Sequence, residues 1–160
     1  NLDSSRRRGA LLEWRWQALE RLGLGGSYTW TDAEITAGTF DGNEVPYVAE
    51  HVGALNATWD FGSGISAFAE YAYNGSRHAL GDDANAYGRV DAEGVLNMAL
   101  RWASGHWNAT LRANNLNNEE YDSLTSIFED YDPLTGNSYG VRSVYPAPER
   151  TMYLTLGYTL

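Results

Sequence analysis

The chain has 160 residues and no cysteine, with 11 Lys and Arg against 21 Asp and Glu, for a formal net charge of −10. The lack of cysteine excludes disulfides and thiolate metal sites, and the acidic balance argues against a nucleic-acid partner, which would need a clustered basic surface. No run approaches the roughly 20 apolar residues of a membrane helix. The N-terminus has no basic segment followed by an apolar one, so we expect either a cytoplasmic chain or a piece of a longer protein.

Apolar residues recur at every second position along most of the chain, and this period predicts β-strands. In the clearest example, Val90 to Trp102, apolar side chains lie on one face and charged or amide side chains on the other. The pattern predicts seven strands, over residues 10–18, 22–31, 55–61, 65–73, 89–102, 107–114 and 151–160. The fold class is therefore all-β, an antiparallel up-and-down meander.

Short and long connections between the predicted strands alternate strictly. Turns of two to four residues are expected near Glu20, at 62–64 and at 103–105, and long loops over 32–50, 74–88 and 116–147. All short turns then lie at one end of the sheet and all long loops at the other. Outer-membrane barrels have this asymmetry, with short periplasmic turns and long extracellular loops.

The aromatic side chains favour a membrane barrel over a water-soluble one. They share the apolar face and lie mostly near strand ends, as in the aromatic girdles of membrane barrels: Trp14, Trp16, Tyr28, Trp30, Trp59, Tyr71, Tyr73, Trp102, Trp107 and Tyr158. Small residues on the same face would fill a soluble core poorly. The alternative is a soluble small β-barrel that carries an apolar ligand, and it predicts that Trp14, Trp59 and Trp107 are buried in the protein interior.

Four stretches carry a family resemblance. They are Ser5 to Ala10 with the strand after it, Tyr28 to Glu34 followed by Gly42 to Val48 and His51, Asn114 to Tyr121, and Pro146 to Thr151 with the final strand. In this order they resemble the C-terminal part of the β-barrel of TonB-dependent outer-membrane receptors. Two positions depart from the family pattern: Asn117 and Asn118 replace a usual Phe-Asp, and Leu160 ends the chain where Phe or Trp is preferred.

The resemblance implies that residues 1–160 are one segment of a barrel in the bacterial outer membrane. The intact parent would contain about 22 strands and a plug domain. The seven strands predicted here would therefore form a partial transmembrane β-barrel, without the plug domain and the earlier strands. Such a parent takes up a scarce large solute, most often a ferric siderophore, with energy relayed by the TonB complex. Expected partners also include membrane lipid, the barrel-assembly machinery through the last strand, and further copies of the fragment through its unpaired edge strands.

No catalytic chemistry is expected. Hydrolase, P-loop and zinc-protease motifs are absent, and the three histidines, His51, His78 and His106, stand far apart. We therefore predict no enzyme, no catalytic residue, no metal site and no cofactor. The long loops would supply ligand contacts, with the candidates His78, Asp82, Asp83 and Tyr131, although a solvated loop histidine is the simpler interpretation of His78.

Two further charged groups have structural interpretations. Glu129 to Asn137 faintly resembles a calcium loop, but Pro133 and the lack of a well-placed glutamate favour an Asx-type turn in an acidic loop. Charged residues on the polar face are expected to form salt-bridge ladders between neighbouring strands: Asp60, Glu70, Arg89, Asp91, Glu93, Arg101 and Arg112.

Overall fold

The structure is a computed structural model that describes residues 4–160. This part of the chain forms strands and loops only: β1 (Ser4–Leu19), β2 (Leu22–Ala37), β3 (His51–Gly62), β4 (Ile65–Asn74), β5 (Arg77–His78), β6 (Arg89–Val90), β7 (Glu93–Ser104), β8 (Trp107–Asn114), β9 (Asp122–Tyr131), β10 (Ser138–Pro146) and β11 (Thr151–Tyr158). No helix among these residues is long and apolar enough to cross a membrane.

The predicted seven-strand meander is confirmed. Seven strands form one antiparallel sheet in the order β1-β2-β3-β4-β7-β8-β11, which we call the wall. The edges of the wall are β1, which pairs with β2, and β11, which pairs with β8. With 12 residues in β3 and 10 in β4, these strands have about the 9–11 residues that a tilted strand needs to cross a bilayer.

The ends of the wall differ as predicted. Strands β1 and β2, β3 and β4, and β7 and β8 are joined by tight connections at what we call the turn end. The opposite, loop end carries residues 38–50, 75–92 and 115–150, which together we call the loop cap. The cap contains two small hairpins, β5 with β6 and β9 with β10.

Strand register places the predicted apolar side chains on one face of the wall. Trp30 lies opposite Ala10 and His51, and Trp102 lies opposite Ile65 and Ala109. This apolar face is exposed, since Trp14, Trp59 and Trp107 retain 38%, 42% and 55% of their accessible surface. The burial that the soluble-carrier alternative requires is therefore not found.

The buried core lies in the loop cap and at its junction with β2, outside the body of the wall. The buried apolar side chains are Ile35, Val45, Ala49, Ala79, Val90 and Ile127. Residues 38–50 fold back along the end of β2, where Val45 N donates to Ala33 O and Gly42 N donates to Ile35 O. The wall presents two open faces, and the cap encloses a small interior of its own.

Three strand predictions need correction. The region 116–147, predicted as one long loop, contains the β9–β10 hairpin, because Thr125 and Ile127 alternate toward a buried surface provided by residues 75–92. The fifth predicted strand starts at Glu93, since Arg89 and Val90 turn away to pair with β5. Strands β1 and β2 also extend past the predicted ends to Ser4 and Ala37, beyond the apolar part of the wall.

Candidate functional site

The loop cap is tied together by side chains that cross from one loop to another. Glu44 N donates to Asn85 Oδ1 at 2.8 Å, and Asn85 Nδ2 donates back to Glu44 O at 3.1 Å. The Arg89 guanidinium reaches the Glu44 carboxylate at 2.8 Å. Residues 38–50 and 75–92 are therefore joined by two hydrogen bonds between the Asn85 amide and the Glu44 backbone and by one ion pair.

Tyr47 links all three loops of the cap. Its backbone N donates to His78 O at 2.9 Å, and its hydroxyl donates to Ser123 O at 2.9 Å. The Arg77 guanidinium lies 5.3 Å from the centre of the Tyr47 ring, within cation–π range. Tyr47 has a φ of 62°, a left-handed conformation that is unusual for a bulky residue. These contacts compensate for the strain and hold the ring between the loops.

A buried ion pair anchors the cap to the wall. Arg77 and Glu93 are 4% and 9% exposed, and Arg77 Nη1 lies 3.0 Å from Glu93 Oε2. The other carboxylate oxygen of Glu93 accepts from Asn74 Nδ2 at 2.8 Å. Because Asn74 ends β4 and Glu93 begins β7, the pair sits where the wall passes into loop 75–92. A buried charge needs such partners, since an unpaired one would be costly.

Two of the predicted ligand residues, His78 and Asp82, come together inside the cap. His78 Nδ1 lies 3.2 Å from Asp82 Oδ2, and the two residues are 9% and 1% exposed. Asp82 also accepts from the backbone N–H groups of Ala86 and Tyr87. The simpler interpretation, a solvated loop histidine, is therefore wrong. The loop folds over His78 because Asp82 satisfies the backbone of the turn that follows it.

The other two predicted residues lie apart from this pair. Asp83 is half-buried, and its backbone carbonyl accepts from Asn43 Nδ2 at 2.9 Å. Tyr131 is 59% exposed at the end of β9. Loop 75–92 meets that strand earlier, where Ile127 N donates to Leu80 O. The four candidates thus divide into a buried pair, a residue at the rim of that pair, and a tyrosine at the outer hairpin.

The loop cap contains an acidic cleft that the sequence did not predict. A cavity of about 490 Å³ is lined by one arginine, Arg142, and by six carboxylates: Asp91, Glu93, Glu119, Glu120, Asp122 and Glu149. An adjoining cavity of about 380 Å³ shares Glu93, Tyr121 and Asp122 with it and adds Tyr47. The alternating pattern predicts Asp91 and Glu93 on the polar face of a strand. The other carboxylates lie in residues 115–150, and an alternating pattern of apolar residues does not predict how such a loop folds.

The asparagine-rich motif after β8 caps the ends of neighbouring strands. Asn115 is buried, with its amide bonded to the carbonyls of Glu119 and Pro148. Asn117 Oδ1 accepts from Leu96 N, and its Nδ2 donates to Gly94 O, where β7 extends beyond its pairing with β8. The departure at position 117 thus has a structural role, because the amide replaces a missing strand partner.

The predicted salt-bridge ladders on the polar face are wrong. Within residues 4–160 the Arg and carboxylate ion pairs lie at the loop end: Arg6 with Glu34, Arg8 with Asp32, Arg77 with Glu93 and Arg89 with Glu44. Asp60, Glu70, Arg101 and Arg112 join none of them. The residues that lie directly opposite these four on the paired strands are neutral, so no ladder forms between them.

The stretch from Glu129 to Asn137 forms the predicted Asx turn. Asp132 Oδ1 accepts from Leu134 N at 2.8 Å, and Asp132 Oδ2 accepts from Thr135 Oγ1 at 2.7 Å. These hydrogen bonds lower the pKa of the Asp132 carboxyl, the Thr135 hydroxyl contributing most. Among the described residues no group of three or more His, Asp or Glu side chains is arranged to hold a metal ion.

A sheet with an exposed apolar face, aromatic residues near its two ends and one end of long loops defines a segment of an outer-membrane β-barrel. Residues 1–116 match the family described as "TonB dependent receptor-like, beta-barrel", and the chain belongs to this family. Proteins of this family are receptors and transporters of the bacterial outer membrane rather than enzymes. The family resemblance found in the sequence is therefore confirmed.

Individual relatives agree with this assignment. The ferrichrome outer membrane transporter/phage receptor of Escherichia coli K12 is 34% identical over 141 residues, which cover 82% of this chain and 18% of that protein. The siderophore receptor PiuA of Acinetobacter baumannii matches 96% of this chain and 22% of its own, with 18% identity and a TM-score of 0.76. The ferric yersiniabactin uptake receptor FyuA of Yersinia pestis matches 96% and 23%, with 18% identity and a TM-score of 0.75. The chain thus spans roughly a fifth of the length of these relatives, and the solved structures establish its fold.

Proposed function

We propose that the chain is the C-terminal barrel segment of an outer-membrane transporter that imports a ferric siderophore. The main support is the 34% identity to a ferrichrome transporter over most of this chain. The plug domain and the earlier strands would belong to other parts of the same parent protein. The single domain assigned to residues 1–160 is then one arc of a larger closed barrel.

In this proposal each part of the segment has a separate task. The apolar face contacts membrane lipid, and the polar face lines the lumen, where the plug domain sits. The loop cap forms part of the extracellular mouth, and the acidic cleft lies between that mouth and the lumen. The free edge of β11 would be recognised by the barrel-assembly machinery, and the TonB complex would act on the plug. An isolated fragment would cover its edges by pairing with further copies.

The four candidate ligand residues then act in two ways. Tyr131 is exposed and Asp83 is half-buried, and both would contact the solute directly. His78 and Asp82 are buried and bonded to each other, so they would set the shape of the loop that carries Asp83. A solute contact by His78 itself would require this pair to open.

Uptake by the intact parent tests the proposed function. The parent is produced in an iron-starved bacterium that lacks its own siderophore receptors, and iron uptake is measured with ferrichrome and other ferric siderophores. We expect uptake of at least one of them, and its loss in a strain without TonB. Uptake of copper alone would contradict the proposal, and the similar fold of the copper transporter OprC makes this a necessary control.

Variants of the same parent test the ligand contacts. Asp83→Asn and Tyr131→Ala should each raise the half-saturation concentration for uptake by about threefold to tenfold, since tenfold corresponds to about 1.4 kcal/mol of binding. The maximal rate should stay unchanged. Leu154→Ala, on the apolar face, is the matched control. An unchanged half-saturation concentration in both loop variants would reject these two residues as contacts.

A further inference from the structure

The polar face of the wall becomes apolar where it approaches the loop end. Toward the turn end this face carries charged residues such as Asp60 and Arg101. Near the cap it carries four apolar side chains instead, which we call the apolar floor: Val52, Ala54, Ala72 and Val95. Register places the last three of these in one row across β3, β4 and β7. Because the inner face of a membrane barrel is ordinarily polar, the apolar floor indicates a surface that another molecule covers.

The apolar floor lines a cavity of about 690 Å³, the floor cavity, which residues 115–150 help to enclose. Tyr121 and Tyr153 add aromatic surface to it. Four carboxamide side chains also line it: Asn74, Asn97, Asn114 and Asn115. Within the described part of the chain, none of its lining residues is an arginine. A concave site of this size with a mostly apolar surface and a few polar groups is typical of small-molecule binding.

The floor cavity adjoins the acidic cleft of the cap, because Glu93, Tyr121 and Glu149 line both. The Glu93 carboxylate is paired with Arg77. Glu120, which lines the cleft, and Glu149 are both exposed, and neither joins an ion pair among residues 4–160. Their charges therefore remain available to act on a solute beside the floor cavity.

The same sign of charge prevails over the whole cap. Its three loops contain 13 carboxylate and four arginine side chains, and the chain has no lysine. Two of those arginines, Arg77 and Arg89, are already paired with Glu93 and Glu44. A cleft lined by one sign of charge raises the local concentration of the opposite ion and lowers that of like-charged ones. The cap therefore disfavours anions.

The net charge of a ferric complex depends on its chelating groups. Three hydroxamates each lose one proton and together balance Fe(III), so their complex is neutral, and an added ammonium group makes it a cation. Three catecholates each lose two protons, so their complex is a trianion. Net charge thus divides ferric siderophores into classes that an acidic cleft can distinguish.

We propose that the floor cavity binds the organic part of a neutral or cationic ferric complex, and that Glu120 and Glu149 select against anionic complexes. This inference rests on the proposed function and narrows it to ferric siderophores without net negative charge. The apolar floor provides contact surface for the methylene chains of such a ligand. The carboxamides that line the cavity provide donors for its carbonyl groups.

Uptake of three ferric complexes by the intact parent tests the charge preference: a neutral trihydroxamate, a trihydroxamate with an ammonium group, and a tris-catecholate. We expect half-saturation concentrations at least about tenfold lower for the first two than for the trianion. The double variant Glu120→Arg with Glu149→Arg should reduce this ratio by about tenfold, because two repulsive charges become attractive to the anion. Asp41→Arg with Glu129→Arg makes the same charge change elsewhere on the cap, and screening should keep its effect below about twofold.

A larger side chain in the apolar floor tests the floor cavity separately. Ala72→Leu should raise the half-saturation concentration for the neutral complex by about fivefold or more, because the added atoms occupy space that the ligand needs. Ala99→Leu makes the same enlargement on the polar face outside the cavity and is the matched control.

The outcomes separate the inference from the proposed function. A lower half-saturation concentration for the tris-catecholate would overturn the inference and leave iron uptake intact. A ratio unchanged by the reversal at Glu120 and Glu149 would also overturn it. So would unchanged uptake in Ala72→Leu, because the floor would then be covered by the plug and not by the solute.

Two further outcomes are also decisive. If the parent imports only some other ferric siderophore, the sign of its net charge decides in the same way. If the reversal prevents barrel assembly, Glu120→Gln with Glu149→Gln is measured instead, with the same criteria. Failure to import any ferric siderophore would refute the proposed function itself, together with the inference that rests on it.

Discussion

The wall and the loop cap obey different rules of burial. In the wall, side chains of both faces stay accessible, and large residues such as Leu154 and Trp107 point outward. In the cap and at its junction with the wall, charged residues such as Arg77, Asp82 and Glu93 are more buried than most apolar residues of the wall. Lipid and lumen surround the wall, so its sequence needs only to alternate. The cap must enclose its own interior, and its polar groups need specific partners.

The largest difference between these regions is expected at the buried ion pair of the cap. Arg77→Ala leaves the Glu93 carboxylate buried without its main counter-charge, and such losses cost about 3–5 kcal/mol. Hydrogen exchange of the intact receptor should show faster exchange throughout residues 75–92, with the centre of the wall unchanged.

Arg8→Ala provides the matched control for that prediction. Arg8 lies 3.6 Å from Asp32 at the exposed end of the β1–β2 hairpin, where a pair contributes about 0–1 kcal/mol. An equal effect of both variants would mean that burial does not distinguish the two ion pairs, and the contrast between cap and wall would fail for charged groups.

Apolar truncation gives the next largest contrast. Ile127 packs against Ala79 and Val90 in the cap, and Ile127→Ala should cost about 2–4 kcal/mol because the cavity cannot be refilled. Leu154→Ala on the apolar face should cost about 1–2 kcal/mol, since lipid chains refill the space and only the transfer free energy is lost. Unfolding of both variants in lipid vesicles measures the difference. A larger loss for Leu154→Ala would reverse the expected order.

The same contrast explains how much could be predicted from sequence. Trp102 and its neighbours revealed β7 because a strand between two environments repeats with period two. Glu93 and Arg77 are 16 positions apart and share no local pattern. Their pairing, like the contact of Tyr47 with Ser123, depends on how three loops fold together. The family motifs Gly42 to Val48, Asn114 to Tyr121 and Pro146 to Thr151 lie in or beside the loops of the cap. They do not indicate which side chains of the cap are buried.

Asn117 lies on the border between the two regions and should show an intermediate effect. Its amide makes two hydrogen bonds to the backbone of β7, at 2.9 Å to Leu96 N and 2.7 Å to Gly94 O. Asn117→Ala should cost about 1–2 kcal/mol, because those backbone groups lose their partners. Amide exchange at Leu96 should accelerate, while Met98, which pairs with β8, should be unaffected. Equal protection of Leu96 in both proteins would show that the amide is dispensable.

The smallest effect is expected at the tip of the outer hairpin, where the cap itself becomes solvent-exposed. Hydrogen bonds from Thr135 and Leu134 favour the ionised form of Asp132 and lower the pKa of its carboxyl. A lowered pKa in the folded state means that the turn is stabilised at pH values above the ordinary carboxyl pKa. That stabilisation is lost as the pH falls through the lower pKa of the folded state.

Exchange of the Leu134 amide, corrected for its intrinsic pH dependence, should therefore accelerate only below about pH 4. In Asp132→Asn, which keeps an acceptor oxygen but cannot ionise, this acceleration should disappear. An identical pH profile in the two proteins would assign the acceleration to another titrating group.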